Sequence, residues 1–130
     1  EKPFECVGSR HEVNAAICLT IEQMEAAGEP LPLLLKRYKE LQEKYPVIGD
    51  VRGLGAMIGI ELVKDKETKE PATELTAKLI QNAIQKGLLL ENCGTAGNVV
   101  RFLAPLTMTD EQMEKGLEIF EASLKEAMEA

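Results

Sequence analysis

Histidine is almost missing from this sequence: His11 is the single one among 130 residues. Cysteine is sparse too, with Cys6, Cys18 and Cys93 odd in number, widely spaced and without a Cys-x-x-Cys pair. A disulfide framework and a Cys/His zinc site are therefore excluded, and the usage suits a reducing, cytoplasmic compartment. Neither a Gly-x-Ser-x-Gly elbow nor a His-x-x-x-His pair occurs, which removes the usual signatures of a triad hydrolase and a zinc enzyme. Positive charge is in deficit, with 15 Lys plus Arg against 22 Asp plus Glu and a formal net charge of −7. With no basic stripe to displace counterions from phosphates, nucleic acid is excluded as a partner. Long apolar runs are absent as well. The longest, Leu54 to Val63, is broken by glycines and Glu61 and falls far short of the ~20 residues that a membrane span requires. No charged and then apolar leader opens the chain, and with Glu1 in place of a methionine it is expected to be a processed or excised piece.

What remains is the composition of one soluble globular domain, 45% apolar and 28% charged, long enough to bury a single core. Val13, Ile17, Ile21 and Met24 repeat at helical spacing and stop at Gly28, which predicts a first helix from about Glu12 to Ala27. Leu34, Tyr38, Leu41 and Tyr45 predict a second, closed by Pro46. The period then drops to two: Ala56, Ile58, Ile60 and Leu62 alternate with their neighbours as in a strand, and Gly49 to Gly55 is expected to bend or bulge on entry to it. Lys64 to Pro71 is a solvated polar loop. A third helix is expected to start near Thr73 as N-cap, to carry Leu75, Leu79 and Ala83, and to end at Lys86-Gly87. Leu88–Glu91 and Asn98–Leu103 read as two strands around a loop at Asn92–Gly97. The last helix has a capping box, Thr109 with Gln112, and a hydrophobic staple, Met108 with Met113. Its glutamates, Glu111, Glu114, Glu118, Glu121 and Glu126, read as a solvated surface. The fold class is α+β: a small mixed or antiparallel sheet of three to four strands packed with about four helices.

Few residues carry chemistry. His11 reads as a surface or capping histidine, and Cys93 as an inert loop thiol with nothing near it in sequence to lower its pKa. The glycines of Gly53-Leu-Gly-Ala-Met-Ile-Gly59 imitate a dinucleotide fingerprint, but the third is one residue late and the run enters a strand where the fingerprint opens a helix. Arg101 stands apart. Strand parity puts Val100 and Phe102 on one face and Val99, Arg101 and Leu103 on the other. A guanidinium between two apolar neighbours either pairs with Asp50 or a helix glutamate, or captures a ligand carboxylate with its planar fork. The same parity leaves a sheet face too apolar to stay wet, so it is expected to dock on something else.

Val51-Arg-Gly-Leu-Gly-Ala-Met-Ile-Gly-Ile-Glu-Leu62 and, thirty-five residues on, Asn98-Val-Val-Arg-Phe-Leu-Ala-Pro-Leu-Thr-Met-Thr-Asp-Glu-Gln-Met113 resemble the C-terminal segment of class III pyridoxal-phosphate aminotransferases. Cys93-Gly-Thr-Ala-Gly-Asn-Val-Val-Arg101 is most similar to the 4-aminobutyrate aminotransferase branch. The resemblance covers about residues 12–128. It implies an arm at residues 1–11 and, over 12–130, the small domain of a fold type I subunit that works as a homodimer beside a larger cofactor-binding domain. It implies transfer of an amino group from an ω-amino acid to 2-oxoglutarate, with Arg101 gripping a substrate carboxylate and the Gly94–Gly97 turn helping to place its strand. It also implies that the lysine, aspartate and phosphate-binding turn that hold pyridoxal 5′-phosphate lie upstream, so the chain alone is expected to be inactive and to bind no cofactor covalently. Where the family reads Thr-Phe-Gly-Gly-Asn-Pro, this chain has Cys6-Val-Gly-Ser-Arg-His11; Cys6 lacks the hydroxyl that meets the cofactor phosphate, and no phosphate contact is assigned to residues 6–11. The competing reading is a non-catalytic α+β module for dimerisation or for binding small carboxylates.

Overall fold

The computed structural model describes residues 30–105 and 107–129. The helix expected over 12–27 lies outside the described residues, as do Cys6, His11 and Cys18. The described elements run α1 (Pro30–Lys44), β1 (Ile48–Leu54), β2 (Met57–Leu62), α2 (Thr73–Gln85), β3 (Glu91–Cys93), β4 (Val99–Leu103) and α3 (Asp110–Glu129). The strands form one sheet in the order β1-β2-β4-β3, with every neighbouring pair antiparallel. This settles the mixed-or-antiparallel alternative.

Leu34 and Tyr38 of α1 are fully buried, and the helix stops before Pro46, whose ring disfavours helical geometry at Tyr45. Tyr38 packs edge-on to Phe120 at 5.0 Å and tilted against Phe102 at 5.7 Å, tying α1, α3 and β4 together. Ile48, Val51, Ile58, Ile60, Leu62, Val100 and Phe102 bring one sheet face into the same core. The capping box of α3 forms as expected: the Thr109 N–H donates to Gln112 Oε1 at 3.0 Å, and the Gln112 N–H donates to Thr109 Oγ1 at 3.3 Å.

Three local expectations are corrected. The glycine-rich approach Gly49–Gly55 is itself a strand, β1, joined to β2 by a two-residue turn in which Gly55 takes φ +59°. The expected bulge is confined to Gly49, where the register slips between Ile48 and Asp50. Thr73 is not the N-cap of α2. Ala72 occupies that position, and the Thr73 hydroxyl donates to the Ala96 carbonyl at 2.7 Å. Finally, Leu88–Leu90 is not strand. The N–H groups of Gly87 and Leu88 bond back to the carbonyls of Ile84 and Ala83, with Gly87 at φ +88°, so these residues finish the helix in a Schellman turn. Strand β3 therefore begins at Glu91.

The glutamates of α3 are more than a wetted face. Arg37 forks onto Glu114 at 2.8 and 3.0 Å. Glu121 accepts from Lys44 and from the Tyr45 hydroxyl, each at 2.5 Å, and lies 3.2 Å from Lys125. Lys44 and Tyr45 hold the Glu121 carboxyl down at about 2, against an ordinary 4.5. A carboxyl depressed on folding contributes stability above its ordinary value, and that stability drains away as pH falls through the folded value. Between pH ~4.5 and ~2, Glu121 is thus expected to lose roughly 1–2 kcal/mol of stabilisation, after allowance for solvent screening of its exposed lysine partners. Unfolding midpoints of the native chain and of Glu121→Gln should converge across that window. Parallel curves would contradict the assignment.

Candidate functional site

The described helices cover one face of the sheet. The registers arrange the other in three rows across the strands: Asp50, Glu61, Val99 and Cys93; then Arg52, Gly59, Arg101 and Glu91; then Leu54, Met57 and Leu103. Strand parity was read correctly for β4, since Val100 and Phe102 are buried in the core and Arg101 and Leu103 are not. The last row is open, with Leu54, Met57 and Leu103 at 46%, 54% and 62% exposure. Val99, by contrast, is 6% exposed. The Gly94–Gly97 turn folds over it so closely that a Cβ on Gly94 would stand 2.9 Å from Val99 Cγ2. The Thr73–Ala96 hydrogen bond anchors this turn to the start of α2.

The two arginines of the middle row differ. Arg52 bonds through Nη1 alone, to Asp50 at 2.6 Å and Glu61 at 2.8 Å, so two carboxylates surround its single charge and leave that cluster net negative. Arg101 pairs with neither Asp50 nor a helix glutamate. Its Nε donates to Glu91 Oε2 at 2.8 Å, and Nη2 closes on the same oxygen. Glu91 is its direct partner across the β3–β4 ladder. Both side chains are about half exposed, and pairs of that kind are weakly held. Nη1 has no hydrogen-bond partner among the described residues, and the side chain lines a concavity on this face. Hydrogen bonding to carboxylates secures the proton on both guanidiniums. The site thus presents a permanent planar cation suited to bidentate carboxylate capture.

A concavity of about 340 Å³ runs between the arginines, with Gly59 in its floor, Met57 and Val99 on its walls and the free, half-buried Cys93 at one side. Sequence reasoning missed Glu91 and Arg52 as parts of this surface. Their signal was strand alternation, which could be used only once the start of β3 and the existence of β1 were known. A larger hollow of about 410 Å³, between α2 and the end of α3, holds neither arginine.

Among the described residues these features define an α+β domain whose uncovered sheet face carries two guanidiniums, Arg52 beside two carboxylates and Arg101 beside one. The chain belongs to the class III aminotransferases: the family model Aminotransferase class-III matches residues 14–124. It is 50% identical over 99 residues to 5-aminovalerate aminotransferase DavT of Pseudomonas aeruginosa, covering 76% of this chain and 22% of that protein. It is 51% identical over 87 residues to 4-aminobutyrate aminotransferase GabT of Escherichia coli, covering 67% and 20%. An alanine/serine racemase of Pyrococcus horikoshii is 39% identical over 122 residues, 89% of this chain and 25% of that protein. Among solved structures, a Bacillus anthracis aminotransferase superposes with a TM-score of 0.69 at 29% identity, over 87% of this chain and 25% of that one. The chain therefore spans about a quarter or less of the relatives it matches.

The family uses pyridoxal 5′-phosphate, and the described residues do not fit it. A lysine that holds the cofactor aldehyde must shed its proton, which enclosure in an apolar site favours. Every described lysine is instead exposed. Lys44, Lys64 and Lys125 moreover carry carboxylate partners that raise their pKa values, the opposite of what such a residue needs. No described lysine has the surroundings of a Schiff-base residue.

Proposed function

We propose that residues 12–130 are the C-terminal small domain of a longer pyridoxal-phosphate-dependent aminotransferase, a cytoplasmic homodimer, with residues 1–11 as an arm. The proposed reaction moves an amino group from an ω-amino acid, of the 4-aminobutyrate or 5-aminovalerate kind, to 2-oxoglutarate. In this reading the cofactor, held by the remainder of the protein, supplies the electron sink. The contribution of this chain is recognition. Arg101 holds a substrate carboxylate, the Gly94–Gly97 turn keeps its strand in place, and Leu54 and Leu103 pack against the remainder of the protein.

The observation that carries the reading is the half-exposed Arg101, its Nη1 without a partner among the described residues, on the sheet face that the described helices leave uncovered. The similarity to DavT and GabT supports the donor class. The racemase relative favours a second reading in which the family chemistry moves a proton on an α-amino acid. An assay of the complete protein separates them. Glutamate should form from 2-oxoglutarate with 4-aminobutyrate or 5-aminovalerate as donor. Racemisation of alanine without glutamate formation would overturn the proposal. The chain alone, incubated with pyridoxal 5′-phosphate and borohydride, should retain no stoichiometric label at one lysine.

A further inference from the structure

We infer that Gly59 sets the chain shape accepted beside Arg101, leaving room for the methylenes of an unbranched aliphatic carboxylate. The inference rests on the proposed role of Arg101.

Glycine inside a strand is unfavourable, because it adds backbone freedom to the unfolded chain and removes a packing side chain. Most glycines described here are required by the fold. Gly55, Gly87, Gly94 and Gly97 have positive φ, a region that side chains resist. A Cβ on Gly49 would stand 2.8 Å from both Val63 methyl groups, and one on Gly53 would stand 2.8 Å from the Ile58 Cα. Gly59 has neither reason. A Cβ there would meet Val99 Cγ1 at 3.5 Å and the Arg52 carbonyl oxygen at 3.8 Å, which is ordinary contact. Gly116 is equally unforced, but it is buried in α3, away from the sheet.

Gly59 is the third of the six residues of an interior strand, opposite Arg52 on one side and Arg101 on the other. Neighbouring strands lie ~4.8 Å apart, so the two arginines flank a floor roughly 10 Å wide. That floor lies in the concavity described above, with Met57 and Val99 as apolar walls. A bare position in such a place is what close approach by a ligand requires. The chemistry around it selects the ligand: a guanidinium edge for a carboxylate, then apolar contact and an absent side chain for the carbons that follow. Arg52 adds no second anion site, since Asp50 and Glu61 give its cluster a net negative charge, whereas Arg101 faces the single carboxylate of Glu91. A Cβ on residue 59 would rise into the path of those methylenes, and a β-branched side chain would fill it.

The test is calorimetric titration of the complete protein with glutarate, a straight-chain dicarboxylate that cannot react, alongside thermal unfolding. Gly59→Val should weaken glutarate binding about tenfold or more, and Gly59→Ala about two- to fourfold, with no fall in Tm for either. An unchanged Kd in Gly59→Val would overturn the inference. So would a fall in Tm with loss of assembly in both variants, because it would assign the bare position to a close-packed backbone. Arg101→Ala distinguishes the two levels. If it leaves glutarate binding intact, the proposed role of Arg101 fails and this inference fails with it. If it abolishes binding while Gly59→Val does not affect it, only the inference fails.

Discussion

Replacing Arg101 with alanine in the complete protein is expected to lower kcat/KM for carboxylate substrates by about 100- to 1,000-fold, chiefly through KM. The expected size follows from what the side chain offers. A planar guanidinium makes two parallel, charge-assisted hydrogen bonds to one carboxylate, roughly twice as strong as neutral ones. Alanine removes both and leaves the ligand charge facing Met57 and Val99. The effect should appear for amino donor and 2-oxoglutarate alike if each places a carboxylate there. A donor lacking a carboxylate should be indifferent to the change. Arg101→Lys should restore only part of the loss, because an ammonium supplies the charge without the fork. Steady-state kinetics across the three proteins check this, and equal KM values throughout would return Arg101 to a surface pair with Glu91.

The second large effect concerns stability. Gly53→Ala is expected to cost about 3 kcal/mol or more and to lower Tm by roughly 10 °C. A Cβ on Gly53 would stand 2.8 Å from the Ile58 Cα and closer still to the Met57 carbonyl oxygen. Both obstacles are backbone, and both belong to the strand paired with β1, so no rotamer change relieves the overlap. The hairpin would have to open or shift register, and a one-residue slip would turn Ile58, Ile60 and Leu62 away from the core. Thermal unfolding of Gly53→Ala beside Gly59→Ala makes the comparison internal. The two glycines lie six residues apart, and only the first is expected to be required for folding. Equal melting temperatures for the two variants would contradict this reading of the hairpin.

These two glycines also show where sequence reasoning stopped. The capping box at Thr109, the stripe Leu34–Tyr38, the stop at Pro46 and the face assignment of β4 were all legible, because each rests on local chemistry or on a clean period. Strand β1 was not. Its sequence, Ile48-Gly-Asp-Val-Arg-Gly-Leu54, is poor in strand formers, and it is a strand because β2 offers it a ladder. Strand β3 was placed three residues early because three consecutive leucines look like a buried strand. In fact Leu88 completes the cap of α2 through its bond to Ala83. That displacement hid the partner of Arg101, since pairing it with Glu91 depends on where β3 begins. The position of Arg101 could thus be read from alternation alone, and its neighbours could not.

The central claim is that Arg101 meets a ligand carboxylate on the open sheet face. A crystal structure of the complete protein with glutarate bound tests it most directly. The account predicts one glutarate carboxylate within hydrogen-bond distance of the Arg101 guanidinium and its methylenes lying across Gly59. Glutarate bound elsewhere, with the Arg101–Glu91 pair intact and the floor at Gly59 covered by protein, would contradict it.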